Sequence, residues 1–397
     1  MTTGPAGFAI APLFRQDAVP VHSCELLASP AAARACPTGT IELVSDPSSG
    51  LISNRLFDAD TQAFSGRYEE TQAFSGHFSA YAHGLVERLI ARHDLGGKRI
   101  VEIGCGKGYF LVELCRMAGA TGIGIDPSVD PDRFPAIDDV DVTFLAERLH
   151  PRHGTLAPDL MICRHTLEHI ADATAFLRLA NRCMGGHRHA PLYLDVPDAT
   201  RILHEGAFWD VYYEHCHYFT PASLAAVLTA AGFSVADIHR EYDDQFLCAT
   251  AFSAPSAEPA VGPTDILAEH ITDATQTFRS AVRAQINAWS TWFAERAGQK
   301  VAIWGAGSKA VAFLTTLDLH NEVGHAVDIN PHKAGAFIPG TAQPIVAPSA
   351  LADIRPEHVV IMNPVYAGEI AADVRAIGLS PTLWTVGELP IRPLPAA

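Results

Sequence analysis

The stretch Arg99-Ile100-Val101-Glu102-Ile103-Gly104-Cys105-Gly106-Lys107-Gly108-Tyr109-Phe110 decides the fold of this chain. Its first half is an apolar run typical of a buried strand, and the residues after it, Leu111–Cys115, have the apolar spacing of a helix. Glycines at alternate positions let the backbone take positive φ and approach a ligand closely, and the helix N-terminus supplies free N–H groups. The stretch therefore predicts a strand, a glycine turn and a helix that together accommodate a nucleoside.

A second strand with a terminal acid supports this interpretation. Gly122-Ile123-Gly124-Ile125-Asp126 places a carboxylate eighteen residues beyond Gly108, and in dinucleotide-type folds such a carboxylate accepts hydrogen bonds from ribose hydroxyls. NAD enzymes use G-x-G-x-x-G, whereas this turn reads E-x-G-x-G-x-G and so indicates S-adenosylmethionine (SAM). The alternative is a glycine turn in some other doubly wound sheet.

The pattern resembles motif I of class I methyltransferases. In that family the loop holds the methionine and ribose of SAM, and the acid after the second strand holds both ribose hydroxyls. The resemblance implies an α/β fold with a doubly wound sheet and SAM as the cofactor. The cofactor contacts expected from these two segments are Glu102, Gly104, Gly106, Gly108, Asp126 and Pro127.

Length and charge limit the classes of function. A chain of 397 residues is long enough for two or three domains. A formal net charge of -16, with no basic run, disfavours nucleic acid and anionic membranes and favours a small-molecule substrate. We expect a cytoplasmic protein, because there is neither a long apolar run nor a secretory leader. The eight scattered cysteines indicate reduced core residues, not disulfides.

The chain divides into four predicted parts. Residues 1–76 form a small N-terminal lobe and a lid segment, which includes the repeat T-Q-A-F-S-G at 61–66 and 71–76. Residues 77–253 alternate strands and helices and form the methyltransferase-like domain, with ligands expected at the carboxyl ends of its strands. Residues 254–298 are a proline-rich linker and a long helix, and residues 299–397 form a second, smaller Rossmann-like α/β domain.

The second domain opens on another glycine turn, Gly305-Ala306-Gly307-Ser308-Lys309, which follows a strand and precedes a helix. The later strand His325–Asn330 also carries an acid, Asp328. G-x-G-x-x-A suits NAD but is a weak signal when it stands alone. A bound dinucleotide, a substrate-binding lobe and a purely structural turn remain the three interpretations, since fold does not decide function.

Titratable residues are concentrated in two segments, Cys163–Ile170 after the fourth strand and Phe208–Phe219 after the fifth. Methyl transfer needs a nucleophile in line with the sulfonium, and a base when that nucleophile begins protonated, for which imidazole is suitable. The first segment also adds Arg164 and His165 as expected cofactor contacts. The four histidines of these segments have two competing interpretations, a zinc site and ordinary structural hydrogen bonding. The run H-T-L-E-H lacks the glutamate at its second position that a zinc protease needs. These histidines are His165, His169, His215 and His217.

The second segment resembles a signature of bacterial sugar C-methyltransferases, which modify nucleotide-linked 4-keto deoxysugars. The match rests on Tyr212-Tyr213-Glu214-His215 with Tyr218-Phe219, on His169-Ile170, and on the G-A-x-x-K turn that ends at Lys309. The resemblance implies His215 as the general base, with Tyr212, Glu214 and His169 around the substrate. It also implies that Tyr68 lies over the cofactor as part of a lid that excludes water.

The N-terminal lobe departs from that family. Its members carry two cysteine pairs for zinc, whereas this lobe has only Cys24 and Cys36, and Asp46-Pro47-Ser48-Ser49-Gly50 stands where C-P-x-C-G is expected. We therefore expect no metal in this lobe, which must be stabilised in another way, since metal binding supplies folding energy to such units.

The sequence thus predicts a SAM-dependent methyltransferase that methylates the carbon next to a ketone of a nucleotide-linked deoxysugar. An N- or O-methyltransferase of a non-sugar metabolite is the nearest alternative. A dehydrogenase that uses the second glycine turn and a non-catalytic binding protein are alternatives from other classes.

Overall fold

The N-terminal lobe is built on a small antiparallel sheet. The computed structural model describes residues 12–61, 68–130, 132, 137–185, 187, 189–254 and 265–395, with 265–275 described as backbone only. The first copy of the T-Q-A-F-S-G repeat and the predicted proline-rich linker therefore lie almost wholly outside the described residues. The elements of the lobe are β1 (Phe14–Pro20), α1 (Pro30–Arg34), β2 (Thr38–Ser45) and β3 (Ile52–Asn54).

The central part of the chain alternates helices and strands, as its sequence predicts. Its elements are α2 (Gly76–His93), β4 (Arg99–Ile103), α3 (Tyr109–Ala118), β5 (Thr121–Ile125), β6 (Val142–Leu145), β7 (Leu160–Arg164), α4 (Ala173–Cys183), β8 (Pro191–Pro197), α5 (Ala199–Glu205), β9 (His217–Tyr218), α6 (Pro221–Ala230), β10 (Phe233–Glu241) and β11 (Phe246–Ser253).

Seven of these strands form one sheet in the order β10-β11-β8-β7-β4-β5-β6. The five strands from β8 to β6 are parallel, and β10 and β11 complete the sheet antiparallel. The strand order reverses between β4 and β7, so the crevice outside their carboxyl ends is where ligands bind in such sheets. This is the doubly wound α/β fold of class I methyltransferases.

The C-terminal part is a second doubly wound sheet. Its elements are α7 (Asp265–Glu295), β12 (Val301–Trp304), α8 (Ser308–Thr316), β13 (His325–Val327), β14 (Ile345–Val346), α9 (Leu351–Ile354), β15 (His358–Ile361), α10 (Ala367–Ala376) and β16 (Thr382–Thr385). The five parallel strands run in the order β14-β13-β12-β15-β16, with the reversal between β12 and β15. Strand β14, only two residues long, was missed in the sequence.

A single hydrophobic cluster joins the N-terminal lobe, the segment after β8, helix α7 and the C-terminal sheet. The rings of Trp209 and Phe208 are fully buried in it, and Phe208 stacks on Phe313 of α8 with centroids 5.8 Å apart. Burial of each large aromatic side chain stabilises the assembly by about 1.5–3 kcal/mol. The N-terminal lobe, the methyltransferase domain and the C-terminal domain, called the three lobes below, therefore meet next to the segment from Tyr212 to His217.

Strand β9 comes from this same segment and completes the N-terminal sheet, whose order is β1-β2-β3-β9. Ile52 pairs with Tyr218 and Ser53 with His217. The sequence predicted neither this strand nor its pairing, because two residues carry no periodicity. None of the helices in the described ranges is long and apolar enough to cross a membrane.

Candidate active site

The first glycine turn has the conformation that its sequence predicts. Gly104, Gly106 and Gly108 take φ of 72°, 52° and 78°, and Gly108 caps α3 at Tyr109. A Cβ atom on Gly104 would collide with the side chain of Thr166, which follows β7. The turn therefore lies against the end of the neighbouring strand, at the point where the order of the sheet reverses. The missing side chain of Gly104 is therefore required for this close packing.

Asp126 lies at the end of β5 and faces the turn. One carboxylate oxygen accepts a hydrogen bond from the Gly106 amide at 3.0 Å, and the other accepts from the amide and hydroxyl of Ser128 at 2.7 and 2.6 Å. The carboxylate is thus held at the open side of the turn. The sequence predicted a carboxylate here that accepts hydrogen bonds from the ribose hydroxyls of the cofactor. Pro127, its neighbour, is exposed at the same edge.

Glu102 and Arg164 lie deeper than the other expected cofactor contacts. Glu102 is 3% exposed in β4, and burial raises the pKa of its carboxyl to about 8, which the Arg164 charge opposes. Arg164, at the end of β7, donates from Nε to Asp195 Oδ2 at 2.8 Å, and its guanidinium lies 4.2 Å from the centroid of the Phe110 ring. These contacts show Arg164 joining β7 to β8 and α3 beneath the crevice.

His165 adopts a left-handed backbone conformation, with φ of 43°. Its amide donates to Asp195 Oδ1 at 3.0 Å, and its ring lies 4.4 Å from the ring of Phe246. Burial lowers the pKa of the His165 imidazole, so the ring is neutral near pH 7. Strain of this kind costs on the order of 1–3 kcal/mol and is concentrated at functional sites. Asp195 compensates by accepting from both Arg164 and His165.

The predicted catalytic histidines are brought together. The rings of His169 and His215 lie 4.8 Å apart, and the ring of Tyr212 lies 4.2 Å from that of His215. His169 donates from Nδ1 to the Glu214 carbonyl at 2.9 Å, which leaves Nε2 as the acceptor nitrogen of the neutral ring. His215 is 6% exposed, and burial, followed by the nearby His169, lowers the pKa of its imidazole well below 6.5. Both rings are neutral near pH 7.

Glu214 connects this cluster to the other two lobes. Its side chain is fully buried, and Ser23 of the N-terminal lobe donates a short hydrogen bond to it. Ser23 also contacts the hydroxyl of Ser308, in the second glycine turn, at 2.8 Å. Burial raises the pKa of the Tyr68 hydroxyl well above 10, and its hydrogen bond to the neighbouring Glu214 carboxylate adds to this effect. The Glu214 carboxylate thus contacts the N-terminal lobe directly and the C-terminal domain through Ser23.

Glu168 was missed as a site residue although it lies inside the H-T-L-E-H run. Its carboxyl is 1% exposed, and neither oxygen has a hydrogen-bond partner among the described residues. Burial raises the pKa of this carboxyl well above 4.5 and so favours its neutral form. One oxygen lies within 4.8 Å of a ring nitrogen of both His169 and His215. These three residues are the part of the histidine cluster that could hold a metal, whereas His217 is taken by Ser53 and the Ala171 carbonyl.

The lid segment lies between the two glycine turns. The Tyr68 carbonyl accepts from Lys107 Nζ, in the first turn, at 3.3 Å. Glu70 packs against the first turn: one of its carboxyl oxygens lies 3.1 Å from the position that a Cβ on Gly106 would occupy. The other carboxyl oxygen of Glu70 is buried and has no hydrogen-bond partner among the described residues. On the other side, Glu69 accepts from the amide of Asn330 at 2.9 Å. A buried carboxylate oxygen against Gly106 suits a cationic cofactor such as SAM.

The second turn repeats the architecture of the first. Asp328, after β13, accepts from the amide of Ala306 at 2.9 Å and from Lys333 Nζ at 3.1 Å. Lys309, the last residue of G-A-x-x-K, forms a short ion pair with buried Asp210, which also pairs with Arg201 at 2.6 Å. The lysine therefore ties the C-terminal domain to the segment that presents His215.

Residues 46–50, which replace the C-P-x-C-G zinc knuckle of the resembling family, form a hydrogen-bonded turn. Asp46 accepts from the amide and hydroxyl of Ser48, both at 2.8 Å, and from the hydroxyl of Ser49 at 3.0 Å. Cys24 is buried and contacts Ser308, and Cys36 is half-buried elsewhere in the lobe. The carboxylate closes the β2–β3 connection with hydrogen bonds.

Ser23 had no sequence signal that could have identified it as a site residue. Ser308 and Asp210 lie in segments that the sequence singled out, the second glycine turn and Phe208–Phe219, but no local pattern predicts their contacts with Ser23 and Lys309. Asp195 did carry a signal, because a carboxylate inside the apolar strand Pro191–Pro197 is unusual unless it is paired.

Comparison with known proteins agrees with this geometry. Residues 74–238 match a model described as "Methyltransferase domain", and residues 270–384 match one described as "C-methyltransferase C-terminal domain". C-methyltransferase NovU of Streptomyces niveus is 28% identical over 332 residues, which cover 77% of this chain and 76% of NovU. The ubiquinone biosynthesis O-methyltransferase of Azorhizobium caulinodans is 27% identical over 186 residues, 39% of this chain and 70% of that enzyme.

Among solved structures, the magnesium protoporphyrin IX methyltransferase of Synechocystis with bound SAH is similar to this chain. The identity is 19%, the TM-score is 0.36, and the similarity covers 45% of this chain and 84% of that one. The likeness to NovU extends across both matched domains, whereas the likeness to the O-methyltransferase covers 39% of the chain.

Proposed function

We propose that this chain, a SAM-dependent methyltransferase, is a C-methyltransferase that methylates the carbon next to a ketone of a nucleotide-linked deoxysugar, with His215 as the general base. The observation that carries the proposal is the buried, neutral imidazole of His215 between the rings of Tyr212 and His169. A carbon acid next to a ketone needs a base before it can act as a nucleophile, whereas many oxygen nucleophiles need less help.

The residues present fit the cofactor. The turn from Gly104 to Gly108 supplies a bare backbone and the N-terminus of α3, and Asp126 supplies a carboxylate for the ribose hydroxyls. Glu70 places a carboxyl oxygen on the lid side of the same turn. When bound, SAM supplies a methyl group on a positively charged sulfonium.

The chain's own residues then prepare the acceptor. His215, neutral near pH 7, takes the proton from the carbon next to the ketone, and the enolate carbon becomes the nucleophile. The Tyr212 hydroxyl is protonated near pH 7, because burial raises its pKa well above 10, and it can donate to an oxygen that gains negative charge. Burial also raises the pKa of the Glu168 carboxyl and so favours the form that can donate. Burial has a cost as well, since the low pKa of His215 makes it a weaker base.

The nucleotide part of the acceptor is proposed to lie at the second glycine turn. That turn has the same strand, turn and acid arrangement as the first, and the lid residues Glu69 and Glu70 separate the two. Residues 270–384, which contain this turn, match the C-terminal domain of C-methyltransferases.

Hydrogen exchange at the acceptor carbon tests the proposed base directly. The protein, saturated with S-adenosylhomocysteine so that no methyl can be transferred, is incubated in D2O with a nucleotide-linked 4-keto deoxysugar, and deuterium next to the ketone is followed by NMR. Wild-type protein should catalyse exchange, and His215→Ala should slow it by about 10²- to 10⁴-fold without changing the affinity for S-adenosylhomocysteine.

His204→Ala is the matched control, because His204 is an exposed histidine on α5 and should leave the exchange rate unchanged. Exchange at the wild-type rate in His215→Ala would remove His215 from the role of base. Absence of exchange with the wild-type protein, together with normal cofactor binding, would favour the alternative, an N- or O-methyltransferase of a non-sugar metabolite.

Calorimetric titration of thymidine diphosphate into protein saturated with S-adenosylhomocysteine tests the nucleotide separately. Binding that is weakened by Asp328→Ala and unaffected by Asp126→Ala would support the second turn as the nucleotide site. Failure to bind under conditions where S-adenosylhomocysteine binds would contradict the nucleotide-sugar assignment and leave the methyltransferase assignment intact.

A further inference from the structure

A second group of chemically active side chains lies outside the active site, on the hairpin of β10 and β11. In this antiparallel pair His239 stands directly opposite Cys248, and Glu241 follows two residues later, opposite Phe246. Because side chains alternate across a strand, His239, Glu241 and Cys248 project from the same face of the sheet. That face is covered by α2, whose Tyr81 hydroxyl lies 4.0 Å from Cys248 Sγ.

The donor atoms of these three residues converge. One imidazole nitrogen of His239, one carboxylate oxygen of Glu241 and Cys248 Sγ all lie within 4.8 Å of one another. Zinc binds such ligands at about 2.0–2.3 Å, so donors around one ion lie up to roughly 4 Å apart. The side chain of His239 is 38% exposed, so a small rotation can close the remaining difference.

His239 lies between two carboxylates. Nδ1 lies 2.9 Å from an Asp237 carboxylate oxygen, and Nε2 lies 3.1 Å from Glu241 Oε1. When Nδ1 donates to Asp237, the lone pair of Nε2 faces Glu241 Oε1. An ion bound by both of these atoms would lie on the Glu241 side of the ring.

The neighbouring charges leave room for a metal at this position. Arg88 of α2 pairs with the other oxygen of Glu241, Oε2, at 2.6 Å, and Arg92 lies 3.7 Å from Asp237. Glu241 thus keeps Oε1 directed at His239. Asp237 accepts from Nδ1 and so orients the ring with Nε2 towards Glu241, the arrangement usual for histidines that bind metals.

We propose that His239, Glu241 and Cys248 bind one zinc ion, with a water molecule as the fourth ligand. Thiolate, imidazole and carboxylate together suit zinc better than the hard cations Mg²⁺ and Ca²⁺, which take oxygen ligands. On binding, the Cys248 thiol releases its proton to solvent and the resulting thiolate coordinates the ion. No oxidation or reduction takes place.

The proposed site has a structural consequence for the rest of the sheet. Cys248 also pairs in register with Asp195 of β8, which holds Arg164 and His165 beneath the crevice. An ion that joins β10 to β11 at this point would stiffen the strands that support the active site. We therefore expect zinc to raise the melting temperature of the whole protein.

The test uses full-length protein stripped of metal with a chelator and then titrated with Co²⁺ and with Zn²⁺. Tetrahedral Co²⁺ bound by a thiolate has a charge-transfer band in the near ultraviolet and visible d–d bands, and Zn²⁺ should displace it at one equivalent. Cys248→Ser and His239→Ala should each abolish the thiolate band. Asp237→Asn should weaken binding by about 10- to 100-fold, because the ring loses its orienting carboxylate.

Cys36→Ser is the matched control and separates this site from any metal held by the N-terminal cysteines. Retention of the band in Cys36→Ser and its loss in Cys248→Ser and His239→Ala would support the proposal. The absence of a thiolate band with wild-type protein would overturn the proposal. Loss of the thiolate band in Cys36→Ser would overturn the proposal and would place the metal in the N-terminal lobe.

Discussion

At the residue scale, the proposed role of His215 as a base depends on an uncharged imidazole. Burial and the neighbouring histidines lower the pKa of its imidazole well below 6.5. An unperturbed histidine would be half protonated near pH 6.5 and would lose its function as a base below that pH. In this site the neutral form persists to lower pH, because protonation would place a charge in a buried pocket beside other nitrogen bases.

The pH dependence of turnover should reflect this shift. We expect the acid limb of kcat/KM to fall below pH 6.5, since activity is lost only when the pH falls through the lowered pKa of His215. The check is a pH–rate profile measured with a saturating cofactor, with circular dichroism at each pH to confirm that the protein remains folded. An acid limb at or above pH 6.5 would contradict an active base with a lowered pKa.

Asp126 belongs to the same scale. Its carboxylate is held at the mouth of the first glycine turn by the Gly106 amide and Ser128. Asp126→Ala should weaken SAM binding by about 1.5–3 kcal/mol, because a hydrogen bond to a charged group is lost. Asp328→Ala, at the corresponding position of the second turn, should leave SAM affinity unchanged in the same calorimetric titration. Equal affinity of wild type and Asp126→Ala would refute the ribose-binding role.

At the element scale, hydrogen bonds to Asp46 close the connection between β2 and β3. Asp46 is exposed and accepts three hydrogen bonds from two serines. These bonds stabilise the turn locally but compete with water, so each contributes only about 0.5–1.5 kcal/mol. The lobe relies in addition on the buried cluster that it shares with Trp209 and α7.

Substitution of Asp46 should therefore destabilise the protein modestly. We expect Asp46→Ala to lower the free energy of unfolding by about 1–2 kcal/mol in urea denaturation, because the turn loses its acceptor. Asp60→Ala, a change at another exposed aspartate of the same lobe, should cost less than about 0.5 kcal/mol. No difference between the two variants would show that the Asp46 turn does not hold the hairpin.

At the scale of the whole molecule, the three lobes meet at Glu214. Ser23 reaches it from the N-terminal lobe, and Ser308 supports Ser23 from the second glycine turn. Lys309, the next residue, pairs with Asp210 on the same active-site segment. A ligand at the second turn would therefore contact the residues that position the proposed catalytic cluster.

Removal of the Ser308 hydroxyl should reduce activity towards the acceptor without changing the affinity for SAM. We expect Ser308→Ala to lower kcat/KM for the acceptor by about 2- to 10-fold, the loss of one net hydrogen bond, with unchanged SAM affinity. Ser349→Ala, at an exposed position of the same domain, is the matched control. A parallel loss of SAM affinity would show that Ser308 supports the fold and has no separate role towards the acceptor.

Most of the strands and the first glycine turn could be predicted from the sequence, because both depend on local chemistry. Val101 and Ile103 form a strand wherever they are buried, and Gly104 and Gly108 permit positive φ without help from distant residues. The acid at Asp126 follows at a spacing set by one strand–helix–strand unit. The roles of Tyr212, Glu214 and His215 came from resemblance to a family and remain predictions.

Only the tertiary structure decided how the site is closed. Strand β9 completes the N-terminal sheet, Glu168 is buried with both oxygens unpaired among the described residues, and Ser23 meets Ser308 across 285 positions of the chain. No local pattern encodes these contacts, because each depends on where whole lobes pack. The same holds for the shifts in pKa of His215 and Glu168. Burial sets those shifts, and burial exists only once all three lobes have assembled around the segment between β8 and β9.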